Sequence, residues 1–375
     1  MTDAAPRAGS AAASAGAFVA TFALIFAAIA ALFAIDTFLA DTDRAASRAE
    51  ARRLFEEGER LQAQNDMAEA LERLRSAVSS ERQNPVYQRG LAAALLAAQR
   101  LGDAQAVLSE RLQHDPTDAE ASLMMARTLA DEGKTRQAIS FYHRAIFGDW
   151  AGSRGARRVQ ARFELVELLA AKHARQELLA ELLPLESEAP SDAPTRRRIA
   201  RLFLTAGSPS HAITIFRDLV RLDRDDADAY EGLGEAELQQ GNYRSARHDF
   251  AFAASLRPGD QAIASRLDLC ERALALDPTQ RGIRTKEQFR RSAALLQLTV
   301  AFSDSCSGAV LPAPAAALLD SARSTLAGPS PTEFSPDTAT EARVTLAERV
   351  WQSRSTCPVP GWAKPAELVL AKLAD

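Results

Sequence analysis

Residues 227–258 read ADAYEGLGEAELQQGNYRSARHDFAFAASLRP. In the second half of this stretch Ala246, Phe250 and Ala253 are spaced four and then three residues apart, which places them on one face of a helix. Twelve residues before Ala246 stands a small residue, Gly234, with Tyr230 and Leu233 beside it on a preceding helix. Gly241 falls between the two segments, where a left-handed backbone turn is cheap for glycine. The stretch therefore reads as two antiparallel helices with a small residue at their crossing.

The same signature recurs upstream. It appears as Ala70/Leu74/Ala77, Ala104/Leu108/Arg111, Ala138/Tyr142/Ala145, Leu178/Leu182/Leu185 and Ala212/Phe216/Leu219. With Ala246 the lead positions step by 34, 34, 40, 34 and 34 residues. The small first-helix position is filled in turn by Gly58, Ala92, Ala126, Val166, Ala200 and Gly234. Gly133 and Gly207 sit at the same turn as Gly241, and Pro116 matches the closing Pro258. On these residues the chain resembles the tetratricopeptide-repeat (TPR) family; with the N-terminal apolar run Ala17–Ile35 it resembles the membrane-anchored bacterial type. A repeat of about 34 residues is the length of a TPR unit. The fourth copy departs most: it lacks alanine and glycine at the small positions, and its longer step implies a six-residue insertion near Gly148–Gly155. The resemblance implies an all-α, right-handed α-solenoid of about six hairpins over residues 44–258. One hairpin cannot bury its own apolar face, whereas stacked hairpins can.

Beyond Pro258 the pattern changes. Ala262–Leu276 and Lys286–Phe302 read as capping helices within residues 259–306, needed to cover the last apolar face of an array. Residues 307–375 form a helical tail containing Pro and Ser, with helices expected at Ala315–Leu326, Thr338–Ser353 and Pro365–Ala374 and linkers at Val310–Pro314 and Ala327–Pro336. Two readings of this tail stay open: it folds back on the array, or it is an independent docking module.

At the other end, residues 1–15 are rich in Ala, Ser and Gly and are expected to lack structure. Ala17–Ile35, AFVATFALIFAAIAALFAI, runs 19 residues without a charge. About 20 apolar residues in a helix cross a bilayer core, so residues 16–40 read as a single transmembrane anchor touching lipid through 17–35. A cleaved signal peptide is the alternative, since Ala28-Ile29-Ala30 resembles a cleavage site. Against it, Arg7 is the sole basic residue upstream, and the run exceeds a typical signal core of about 7–15 residues. The anchor implies an inner-membrane, single-pass protein. Arg44, Arg48, Arg52 and Arg53 after the span favour a cytoplasmic domain, but long domains cross largely regardless of charge. The cysteine pair Cys306 and Cys357 tips the expectation outward: the two pair as a disulfide in an oxidising compartment or stay as free thiols.

The 375-residue chain carries a formal net charge of -4, with both signs interspersed. That argues against a nucleic-acid partner, which calls for a basic stripe. Neither HExxH, GxGxxG, GxxxxGK[ST] nor GxSxG occurs, and His114, His143, His173, His211 and His248 show no ligand spacing. Cys270 sits in a leucine-rich helical run as a buried thiol would. The sequence therefore calls for no enzyme activity, metal or cofactor.

What remains is surface. In TPR proteins the first helix of each unit lines a groove that commonly holds a peptide or partner helix. Carried over by position, the groove residues are Arg52, Phe55 and Glu59 in the first unit, Arg89 and Ala93 in the second, and Leu123 and Arg127 in the third. Later units supply Arg197 and Arg201, then Glu231 and Glu235. The arginines suit an acidic or C-terminal segment, because guanidinium pairs bidentately with carboxylate. The Lys/Asn clamp of the chaperone-binding type is absent at these positions. The functional expectation is a non-enzymatic, membrane-tethered scaffold or accessory subunit of a membrane complex. A cell-envelope assembly factor, or the solenoid part of a cell-wall enzyme, is the alternative.

Overall fold

The computed structural model describes residues 10–150, 152, 154–306, 313–328, 336–354 and 357–374, excepting the side chains of 10–25, 27, 28, 154, 336 and 374. Seventeen helices lie among the described residues, and the first twelve alternate as hairpins. They are α1 (Ser10–Ala63) with α2 (Met67–Ser80), α3 (Pro85–Ala97) with α4 (Leu101–His114), and α5 (Ala119–Asp131) with α6 (Thr135–Phe147). Then come α7 (Arg154–Ala171) with α8 (Arg175–Glu188), α9 (Ala193–Thr205) with α10 (Pro209–Leu222), and α11 (Ala227–Gln239) with α12 (Tyr243–Leu256).

Every hairpin turns in the same way. Asn65, Gln99, Gly133, His173, Gly207 and Gly241 all have φ between +55° and +76°. In each turn the N–H of this residue reaches a carbonyl three back, and the next N–H reaches one five back, as in Gly241 to Leu238 at 3.0 Å and Asn242 to Glu237 at 2.9 Å. This Schellman closure satisfies carbonyls that the helix end leaves without partners. Helix starts repeat as well. Asn84, Asp118, Asp192 and Asp226 each cap a first helix by accepting from a backbone N–H two or three residues on.

Contacts divide the chain into two compact units, residues 1–161 and 162–375. The division falls inside the fourth hairpin rather than at the boundaries read from the sequence. In the first unit Ala51, Phe55, Leu74, Leu91 and Leu95 form one core. Gly58 lets Leu74 approach so closely that an added Cβ would lie 2.7 Å from its Cγ. The extra residues after α6 return to the start of α5: the Asp149 N–H donates to the Thr117 carbonyl at 2.7 Å. Trp150 is buried there, its indole donating to the Ala145 carbonyl at 2.9 Å.

Helix α1 departs from the expected exit into water at Asp36. The apolar run ends there, but the helix continues unbroken to Ala63 and becomes the first helix of the first hairpin. It also starts at Ser10, inside the stretch expected to lack structure; residues 1–9 lie outside the described residues. Among the described residues no helix is long and apolar enough to cross a membrane. Most side chains of Ala17–Ile35 lie outside them, while Phe26, Ile29, Leu32, Phe33, Ile35, Phe38 and Leu39 are exposed.

In the second unit the fourth hairpin holds its pattern with larger groups. Leu178, Leu182 and Leu185 are buried, and the buried Arg162 pairs with Glu181 at 2.7 Å. The tail folds back. After α13 (Gln261–Leu276) and α14 (Thr285–Ser305) come α15 (Ala313–Ala327), α16 (Pro336–Gln352) and α17 (Lys364–Ala374). These five helices and α12 share one core that includes Phe250, Cys270, Phe302, Trp351 and Val369. Tyr243 donates to the Leu368 carbonyl at 2.5 Å, and Lys372 pairs with the buried Asp277 at 2.8 Å. The docking-module reading of the tail gives way to packing on the last hairpin. Parts of the expected linkers Val310–Pro314 and Ala327–Pro336 lie outside the described residues.

Candidate partner-binding surface

The first helices present the residues singled out by position, and the structure sorts them. Phe55 and Leu123 are buried. Phe55 packs against Tyr87 at a centroid distance of 4.9 Å and fills the space over Gly90, where a Cβ would lie 2.4 Å from the ring. Both side chains serve the core. Arg52, Glu59, Ala93 and Arg127 are exposed, and Arg52 bonds Glu56 one turn along at 2.8 Å.

The other arginines are answered one repeat ahead. Arg89 donates to Asp118 at 2.9 Å, and Arg111 donates to the same carboxylate oxygen at 2.7 Å. This explains why Arg111 stands where other copies carry a small or apolar residue: it neutralises a buried cap. Burial alone would raise the Asp118 carboxyl. The Ala121 N–H, Arg111 and Arg89 outweigh that and hold it below the usual carboxylate range. In the second unit Arg197 donates to Asp228 at 2.8 Å, and Arg257 bonds the other oxygen of that carboxylate.

Arg201, Glu231 and Glu235 do come together. With Leu204, Gly232 and Arg266 they line a trough of about 480 Å³ between α9, α11 and α13. Arg266 lies 2.9 Å from Glu235 and 3.4 Å from Glu231, while Arg201 is 59% exposed and 4.0 Å from Asp228. Arg197 and Arg201 also line a smaller trough of about 340 Å³ with Glu167 and Arg198. The sequence reading missed Arg266 and Gly232. Arg266 belongs to the capping helix, outside the repeat frame. Gly232 could have been suspected as a second small residue in a helix that already had one. A Cβ there would lie 2.2 Å from Phe216 Cζ, so the glycine sets how closely α11 approaches α10.

Cys306 and Cys357 adjoin across 51 residues. The Cys357 Sγ is 3.7 Å from the Cys306 carbonyl oxygen, and burial, then the Cys357 thiol, pushes the Cys306 thiol up to about 11. Both are thiols in this structure, as is the buried Cys270, which burial pushes up to about 12.

Residues 95–149 match the family model described as tetratricopeptide repeat. Superkiller complex protein 3 of Mus musculus is 29% identical over 165 residues, which is 40% of this chain and only 10% of that protein. Among solved structures, YrrB, described as a TPR protein with an unusual peptide-binding site, is 16% identical with a TM-score of 0.42, covering 51% of this chain and 95% of that one. The C-terminal part of a TPR repeat-containing protein from Cytophaga hutchinsonii is 12% identical with a TM-score of 0.46, covering 65% and 94%. PilW, described as a type IV pilus biogenesis factor, is 16% identical with a TM-score of 0.40, covering 58% and 98%. The match to the tetratricopeptide-repeat model runs from the end of α3 through α6, and the same left-handed turn recurs in the hairpins before and after it.

Proposed function

We propose that this chain is a membrane-tethered scaffold that holds a protein partner on the first-helix face of its repeats, with the trough between α9, α11 and α13 as the principal contact. The observation that carries the binding part is the mixed polarity of that trough: the exposed Arg201 and the half-buried Arg266, Glu231 and Glu235 line it together with the half-buried Leu204. Such a lining suits an extended segment that presents both charge signs around an apolar side chain. Earlier arginines are engaged by Asp118 and Asp228, so a purely acidic ligand has less to gain than charge counting implies.

The tether rests on the uncharged run Ala17–Ile35 and on the exposed apolar side chains from Phe26 to Leu39. Water disfavours a contiguous apolar patch of this kind. The adjoining Cys306 and Cys357 favour an outward-facing domain. The binding part is tested by screening the intact protein against an immobilised peptide library, beside Arg201→Glu and Glu235→Arg. Binding of mixed-charge peptides that falls at least about tenfold in both variants supports the proposal. Peptide binding indifferent to both substitutions sinks it.

A further inference from the structure

The tail contains a charged group that its own fold does not use. Arg343, on α16, is 7% exposed. Among the described residues its guanidinium has no hydrogen-bond or ion-pair partner; it lies over the Phe289 ring at 4.0 Å, and Nη1 is buried without an acceptor. Burial with nothing to offset it holds the group below arginine's ordinary value. A buried charge is normally paired, because desolvation is otherwise uncompensated.

Arg343 lines a cleft of about 710 Å³ between α14, α15 and α16, within the size range of small-molecule sites. Arg284, Lys286 and Arg290 are also on its wall. Glu287 is the carboxylate among the lining residues, and it is already claimed: Arg290 and Arg291 both donate to it at 2.7 Å and push it down to about 2. The wall thus carries an excess of cations beside an apolar strip of Phe289, Ala293 and Leu326.

We infer that this cleft binds a carboxylate carried on an apolar body, with Arg343 as its counter-ion and Phe289 and Leu326 against the apolar part. A planar guanidinium matches a carboxylate through two parallel bonds, and the aromatic ring beneath Arg343 fixes its plane. The terminal carboxylate of a peptide and a small organic acid share this chemistry. The site lies outside the repeats and is independent of the trough.

The test is calorimetry and thermal shift on the intact protein with three probes: N-acetyl-leucyl-leucine as the free acid, the same dipeptide as its C-terminal amide, and inorganic phosphate. The free acid is expected to bind and to raise Tm, and the amide to bind at least about tenfold more weakly. Arg343→Met is expected to abolish binding without lowering the Tm of the free protein, because it removes an uncompensated buried charge. The Arg284→Gln/Lys286→Gln pair, at exposed positions, is expected to weaken binding and reduce its salt dependence. Acid and amide binding alike, phosphate binding as tightly as the acid, or a Tm loss in Arg343→Met that marks the guanidinium as structural would each overturn the assignment.

Discussion

Six residues one repeat apart hold the left-handed conformation, and only three of them are glycine. Gly133 has open space where a Cβ would go, so Gly133→Ala isolates the backbone cost and should lower stability by about 1 kcal/mol in a denaturant titration. At Gln99, with φ +58°, the reverse change should gain up to about 1 kcal/mol, the relief of strain exceeding the added chain entropy. Asp118 is the residue with most to lose. It caps α5, takes two guanidinium bonds and is buried, so Asp118→Ala should cost about 2–3 kcal/mol by removing the cap and one partner each of Arg89 and Arg111, which keep Glu120 and Asp115. Its folded carboxyl titrates below the unfolded value of about 3.9. The stability it supplies is therefore complete above the unfolded value and is lost as pH falls through the folded one. Urea titrations from pH 6 down to pH 2 should show that acid-side loss in the natural chain and a flatter profile in the variant.

At the scale of elements, close helix approach depends on a few small residues. A glycine in mid-helix ordinarily costs about 1 kcal/mol against alanine. At Gly232 the balance reverses, because a Cβ would meet the Phe216 ring and overpacking costs about 1–3 kcal/mol. Gly232→Ala should thus destabilise, and a thermal melt showing a gain would contradict the close packing of α11 on Phe216. The repeat spacing, the buried faces and three of the turn residues were readable because they depend on local periodicity. Ala70, Leu74, Ala104, Leu108, Ala212 and Phe216 are all buried as that reading requires. The pairing of Arg89 with Asp118 and Arg197 with Asp228 was not readable, since those partners lie 29 and 31 residues apart and meet through stacking of successive hairpins. Trp150 and the non-glycine turns at Asn65, Gln99 and His173 escaped for the same reason: tertiary packing holds conformations that local preference does not favour. The proximity of Cys306 and Cys357 makes a further prediction. Incubation with a disulfide oxidant such as oxidised glutathione should join them by thiol exchange, removing two of the three free thiols and releasing two equivalents of reduced glutathione. Alkylation and mass mapping would show it, and a count of three accessible thiols in the denatured product would exclude it.

For the whole molecule, one continuous helix carries the apolar N-terminal run directly into the first hairpin. From Asp36 to Glu50, ahead of the first core residue Ala51, that helix rises roughly 20 Å at ~1.5 Å per residue, a stiff spacer rather than a flexible leash. The proposal joins two properties, a membrane tether and a partner held on the repeat face, and a single measurement reaches both. The intact chain would be captured from gently solubilised native membranes beside the Arg201→Glu/Glu235→Arg variant, and co-purifying polypeptides quantified. The account predicts recovery from the membrane fraction with a stoichiometric partner that the variant loses while keeping its own fold. Recovery from the soluble fraction, or as a lone monomer, or with a partner the variant retains, would contradict it.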